Sequence, residues 1–322
     1  MEKLSLQSTV TLANGVKMPL LGYSTEETAY DLKTQVEIIM DAIDVGFRYF
    51  DTAESYRTQR ALGIAIKKSG IPREEFFIAS KICIDDIRDR CTYRGFEETM
   101  AQLDMDYIDL ISMHWPFAER IMPSWWQMQD IYDDKRARAI GGCNFEIHHL
   151  EGIKNLIEKE DGYTKYMPMV NQSHFHPQFT CQDLREYCLQ NKIAFGGLFE
   201  KDQLYTMTKP LYNLESSRGG EWYEPGEDPT DHSKNPRLPH DYYDNFDVMS
   251  DIGKKYGKTN TQVWIRWSLQ HGVITTPKTI WKNKMEEYIN VFDFELTQDE
   301  MNKIDGLNIN HRIGYHPDYI DF

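Results

Sequence analysis

Hydrophobic and polar positions along the chain repeat in one order: a short apolar run, then an amphipathic stretch. Residues 47–52 read as a strand and 57–69 as the helix after it, stopped by Gly70 and Pro72. The same order predicts strands over 76–81 and 107–113 with a helix over 93–103 between them. It continues through strands near 139–143, 169–172, 193–198 and 272–276, with helices over 147–158, 181–191 and 261–271. Strand–helix alternation means crossover connections and parallel strands. With Leu20 and its neighbours as the first strand, the count reaches about eight, which closes a (β/α)8 TIM barrel, an α/β fold.

Two segments break the rhythm. Residues 8–17 carry Asn14-Gly15 between short alternating runs, a β-hairpin signal, and a hairpin placed there would plug the bottom of the barrel. Residues 202–245 are rich in Pro, Gly, charge and aromatics without periodicity, the composition of a long binding loop or an insertion. The chain 1–322 is therefore expected to be one barrel domain with a long loop at 202–245 and a C-terminal loop at 308–322.

Composition narrows the partners. A formal charge of −15 argues against nucleic acid, whose phosphates need a basic face, and obliges any small anionic cofactor to find a local cluster of Lys or Arg. The five cysteines, Cys83, Cys91, Cys143, Cys181 and Cys188, include no CxxC pair and suit a reducing compartment better than a disulfide framework. No apolar stretch approaches the ~20 residues of a membrane span, and the first residues do not form a secretory leader. A cytoplasmic protein without membrane or nucleic-acid partners is the expectation, with monomer or homodimer left undetermined.

Barrel enzymes carry their chemistry at the C-terminal ends of the strands. Asp51, Lys81, His114, Asn144 and Gln172 each fall at or just past such an end. Any one of them is ordinarily a cap or loop residue; five in succession converge on one mouth. Tyr56 follows Asp51 by five positions. A phenol titrates near ~10 in water, and a neighbouring ammonium stabilises its anion while a carboxylate holds that ammonium in place. Tyr56 beside Lys81 and Asp51 is thus a candidate general acid or base, and His114 a candidate donor to the same carbonyl oxygen. His174 and His176 stand two apart at a strand end, a spacing that puts both on one face, but no Cys, Asp or Glu motif accompanies them, and no metal site is expected.

The chain resembles the aldo-keto reductase family. The likeness runs through Leu12-Ala-Asn-Gly-Val-Lys-Met-Pro19, Asp44-Val-Gly-Phe-Arg-Tyr-Phe-Asp-Thr-Ala53 and Ser69-Gly-Ile-Pro-Arg-Glu-Glu75. It continues through Leu103-Asp-Met-Asp-Tyr-Ile-Asp-Leu110, His114-Trp-Pro116, Arg138-Ala-Ile-Gly141 and Asn171-Gln172. Tyr256-Gly-Lys-Thr259, the stretch from Gln262 to Gly272, Pro277-Lys278 and Val291-Phe-Asp-Phe-Glu-Leu296 complete it. The resemblance implies a (β/α)8 barrel that transfers hydride between NAD(P)H and a carbonyl or alcohol carbon through an Asp, Tyr, Lys and His tetrad, matched here by Asp51, Tyr56, Lys81 and His114. His114 also sets the chain apart from the branch that reduces steroid double bonds, which carries Glu at that place.

For the cofactor, the resemblance implies that Asn144 and Gln172 hold the nicotinamide carboxamide. Cys143 stands where the family has Ser. At the seventh strand end the family's Ala-Tyr-Ser-Pro-Leu is replaced by Gly197-Leu198-Phe199-Glu200-Lys201, so either Leu198 packs on the ring or Phe199 substitutes by a shift of register. Lys278, Thr279, Lys284 and Glu287 match the stretch around the adenosine 2′-phosphate, with Lys284 in place of Arg and Tyr288 in place of Asn. Together with Lys282 these lysines favour NADP(H) over NAD(H). An alternative, prompted by the replaced motif, is a non-catalytic NADP(H)-binding or scaffold barrel. Trp115, Trp125, Trp222 and Tyr315 fall on loops that line the substrate pocket in the family, and such aromatic surface suits an apolar or ring-bearing carbonyl. Gly219-Gly220 would let the long insertion move as a lid.

Overall fold

The computed structural model describes residues 3–26, 31–117, 120–160, 162–198, 246–312 and 315–320. The insertion at 202–245, with Trp222 and Gly219-Gly220, and the residues Phe199, Glu200 and Lys201 lie outside the described residues.

A two-stranded antiparallel hairpin opens the chain, β1 (Thr9–Thr11) against β2 (Lys17–Pro19), with Gly15 at φ 89° in its loop. Glycine takes that left-handed conformation without a Cβ penalty. The Asn14 side chain donates to the Arg138 carbonyl at 2.8 Å, just before the start of the strand at Ile140, so the hairpin lies under the N-terminal rim of the barrel.

Eight parallel strands follow: β3 (Tyr23–Ser24), β4 (Tyr49–Asp51), β5 (Phe77–Ile82), β6 (Leu110–Met113), β7 (Ile140–Cys143), β8 (Val170–His174), β9 (Ala194–Leu198) and β10 (Ile274–Thr275). Each pairs with its neighbour in chain order from β3 to β10. Leu21 bridges Thr275 in parallel, with Gly22 N donating to Thr275 O at 2.9 Å and Thr275 N to Leu20 O at 2.8 Å. These bonds join the last strand to the first and leave no open edge, as a barrel requires. The first strand lies at Tyr23–Ser24, later than the Leu20 position the sequence suggests. At Gly22 the backbone passes so close to the Tyr49 ring that a Cβ would collide with it.

The connecting helices are α1 (Leu32–Val45), α2 (Gln59–Ser69), α3 (Ile84–Arg88), α4 (Thr92–Leu103), α5 (Ile121–Asp133), α6 (Ile147–Glu158) and α7 (Gln182–Gln190). Helices Phe246–Tyr256, Asn260–Gln270, Lys282–Ile289 and Gln298–Asp305 complete the described set. In α1, Val36, Ile39, Ala42 and Ile43 are buried at helical spacing, and Asp31 caps the start by accepting from Thr34 N at 2.9 Å. Asn260–Gln270 buries nearly all of its length, with Thr259 and Gln262 forming a reciprocal cap. Its Trp267 stacks on Phe175 with ring centroids 4.4 Å apart. The helix expected from residue 57 begins at Gln59, because Glu54–Tyr56 forms a separate 3-10 turn that ends at left-handed Arg57, φ 55°. That turn carries Tyr56 over the barrel mouth.

Among the described residues no helix is long and apolar enough to cross a membrane.

Candidate active site

Strand register sets the side chains at the mouth. Asp51 is the last residue of β4, and Lys81 lies near the end of β5. His114 follows β6 directly and donates its backbone N–H to Ile82 O at 3.2 Å. Asn144 follows β7 in a left-handed conformation, φ 63°, which asparagine adopts more readily than most residues. Gln172 sits within β8 and Leu198 ends β9, paired with His174.

Lys81 and Asp51 are both about 1% exposed, and Lys81 Nζ donates to Asp51 Oδ2 at 2.6 Å. The same ammonium reaches Thr52 O at 3.1 Å and the Tyr56 hydroxyl at 3.3 Å. An ammonium has three protons, and these three acceptors use them all. The Tyr56 oxygen therefore accepts from Lys81, and its own hydrogen takes no part in that bond. The Tyr56 ring meets the His114 ring edge-on, centroids 6.0 Å apart. Burial, and after it the Lys81 charge, pushes the His114 imidazole down to about 3. The ring is therefore neutral at ordinary pH and suited to hydrogen bonding. The tetrad found in the sequence is thus gathered in one place. The Thr52 carbonyl, which completes the lysine's shell, carries no side-chain signal and was legible only from the fold.

Gln172 Nε2 donates to Asp51 Oδ1 at 3.2 Å, and Asn144 Nδ2 donates to His114 O at 3.1 Å and to Cys143 Sγ at 3.4 Å. Both amide nitrogens are engaged within the protein. The buried carbonyl oxygens, Asn144 Oδ1 and Gln172 Oε1, have no hydrogen-bond partner among the described residues. Two unmet acceptors at one mouth are costly unless a donor group arrives. A carboxamide NH2 supplies such donors, so these residues fit a nicotinamide.

Beyond β10, Lys278 is buried, its backbone carbonyl receives the Tyr288 hydroxyl at 3.4 Å, and Tyr23 donates to Thr279 O at 2.6 Å. Lys284 pairs with Glu287 Oε2 at 2.6 Å, while Glu287 Oε1 accepts from Thr259 at 2.6 Å. Lys282 does not join this group. It turns to α1 and meets Asp41 at 2.8 Å and Asp44 at 3.5 Å. The lysine cluster of the sequence analysis is thereby reduced to Lys278 and Lys284.

Trp115 lies beside His114, rings 27° apart with centroids at 6.4 Å. Trp125 corrects the sequence expectation. It is fully buried on α5 and donates from its indole to Tyr166 O at 2.9 Å, so it packs the helix against the adjoining loop and offers no surface to a substrate. Helical periodicity placed it on the inner face, and packing decided the rest. Tyr315 is exposed on the tail. Trp222 lies outside the described residues. His174 and His176 are both buried, each imidazole pushed down to about 3 chiefly by burial.

A closed (β/α)8 barrel with acid, base and amide groups gathered at its C-terminal mouth is the architecture of a barrel enzyme. The model of the Aldo/keto reductase family matches residues 20–309, and the chain belongs to that family. It is 36% identical over 318 residues to glyoxal reductase of Bacillus subtilis, covering 99% of each chain. It is also 37% identical over 309 residues to 9,11-endoperoxide prostaglandin H2 reductase of Trypanosoma cruzi, covering 96% of this chain and 94% of the relative. An aldo-keto reductase from a Medee basin deep-sea metagenome library superposes with a TM-score of 0.79 at 27% identity, over 98% of this chain and 100% of the other. This chain is accordingly an oxidoreductase that interconverts carbonyl and alcohol groups with a nicotinamide cofactor.

Proposed function

We propose that the protein is an NADPH-preferring carbonyl reductase in which Tyr56 exchanges the proton and Asp51, Lys81 and His114 prepare it. The observation that carries this reading is the single ammonium of Lys81 held between a buried carboxylate and the Tyr56 oxygen. When Tyr56 gives up its proton to a developing alkoxide, the phenolate forms against a fixed positive charge, which lowers the cost of the transfer. Asp51 keeps that charge in place and is itself held by Gln172. Neutral His114 offers a hydrogen bond to the carbonyl oxygen without competing for the proton. A bound nicotinamide supplies or accepts the hydride. Asn144 and Gln172 would hold its carboxamide through their unmet carbonyl oxygens, with Cys143 steadying Asn144 and Leu198 beside the ring.

Preference for NADPH rests on Lys278, Thr279 and Lys284, with Glu287 as the carboxylate that holds Lys284 when no phosphate is present. Trp115, next to His114, favours an apolar or ring-bearing carbonyl. Relatives reduce compounds as different as glyoxal and a prostaglandin endoperoxide. The deciding experiment measures kcat/KM with NADPH and with NADH over a panel running from small dicarbonyls to ring-bearing aldehydes and ketones. Faster turnover with NADPH and with ring-bearing carbonyls is expected; equal use of both cofactors overturns the phosphate reading, and no ring-bearing substrate overturns the pocket reading.

A further inference from the structure

The first turn of α6 and the C-terminal tail meet in a cluster that the reductase chemistry does not use. His148 Nε2 lies 3.0 Å and His149 Nε2 3.2 Å from the same atom, Asp318 Oδ1. All three ligand atoms fall within 4.8 Å of one another. On the other carboxylate oxygen, His316 Nδ1 lies 3.8 Å from Asp318 Oδ2. A tetrahedral zinc ion with ligands at ~2.0–2.1 Å spaces its donor atoms a little over ~3 Å apart. The two imidazole–carboxylate separations already match that spacing.

We propose that His148, His149 and Asp318 form a binding site for a divalent transition metal of the zinc type, with His316 or water in the fourth position. Two imidazole nitrogens and a carboxylate make a ligand set suited to zinc, copper or nickel and a poor one for magnesium or calcium, which prefer all-oxygen shells. His149 Nδ1 accepts from the Glu146 backbone N–H at 3.1 Å, so its Nε2 carries the proton that Asp318 receives in the metal-free protein. Ligation through Nε2 moves that proton to Nδ1, so the bond from the Glu146 N–H is lost and the ring must turn away from that donor.

The site would act as a clamp. It joins residues 316–318 of the tail to the start of α6, where Glu146 already holds Arg312 in an ion pair. Glu146 stands two residues after Asn144, so the clamp fastens the tail close to the strand end at the mouth. This places a metal where the sequence alone suggested none.

The test uses untagged, chelator-treated full-length protein, titrated with Zn2+ by calorimetry and with Co2+ by visible absorption. One ion per chain and a tetrahedral cobalt spectrum are expected, with affinity reduced more than about 10-fold in His148→Ala and in Asp318→Asn. Zn2+ is also expected to raise the melting temperature of the wild type and not that of Asp318→Asn. Both residues are partly exposed, so neither variant is expected to lose its fold. Absence of uptake, or binding unchanged in both variants, overturns the proposal and leaves the cluster as a hydrogen-bonded latch. The readouts need no turnover, so they stand or fall apart from the assignment of the reductase.

Discussion

The Gln172 side-chain amide donates to Asp51 at 3.2 Å across the barrel mouth, joining residues 121 positions apart. One side chain thereby braces the carboxylate that holds Lys81 and, in the proposed function, also holds the cofactor. On that proposal Gln172→Ala is expected to raise the cofactor Kd and lower kcat together, measured by NADPH titration and steady-state rates.

Tyr56→Phe keeps the ring over Lys81, 4.8 Å from the ammonium, and removes only the hydroxyl. Turnover is expected to fall by about 100-fold or more, the usual worth of a positioned acid or base, while cofactor binding stays within a few-fold of wild type. Steady-state rates and quenching of tryptophan fluorescence by NADPH separate the two. Near wild-type rates in this variant would remove Tyr56 from the mechanism.

Lys81→Met leaves Asp51 as a buried carboxylate without its ion-pair partner. Breaking a buried pair in this way costs ~3–5 kcal/mol, whereas replacing both members by neutral groups costs far less. Urea unfolding should show Lys81→Met well below wild type and the Lys81→Met, Asp51→Asn double variant substantially recovered. Equal stability of single and double variants would contradict the buried-pair account.

Among the described residues, four histidines are held below the ordinary imidazole value mainly by burial: His114, His174 and His176 at about 3, and His149 at about 4. The unfolded chain protonates them near ~6.5. Between that pH and the folded values the unfolded state binds more protons, so stability falls as pH falls through this window, by up to about 1.4 kcal/mol per pH unit per group. Urea midpoints from pH 7.5 to 4.5 should drop steeply, and His176→Asn should flatten the slope. In the same range kcat/KM should show no limb from His114, whose ring stays neutral.

Lys284→Ala and Lys282→Ala differ by one position class and should behave differently. The first removes a cation proposed for the 2′-phosphate; the second removes one committed to Asp41 and Asp44. NADPH affinity is expected to fall about 10-fold or more in Lys284→Ala, the scale of a charge-assisted hydrogen bond, and to change little in Lys282→Ala. Titration of both variants with NADPH and NADH checks the assignment.

The barrel was readable from the chain because parallel strands and crossover helices impose two distinct periods, and Gly70 and Pro72 mark a boundary that depends on neighbouring residues alone. Where three-dimensional packing competed, the boundaries moved. The first strand moved past Leu20 to Tyr23–Ser24, and the helix after β4 lost its first residues to the turn that carries Tyr56.

Sequence alone determined the strand count, the placement of Asp51, Lys81, His114 and Asn144 at or near strand ends, and the family, since each follows from local pattern or motif order, whereas Gln172 falls inside β8. Tertiary structure decided which of those groups touch. It turned Trp125 into the interior, sent Lys282 to α1, and brought His148 and His149 to Asp318. The reason is that a side chain's partner depends on distances between segments far apart in the chain, which barrel closure and helix packing set and which no local pattern records.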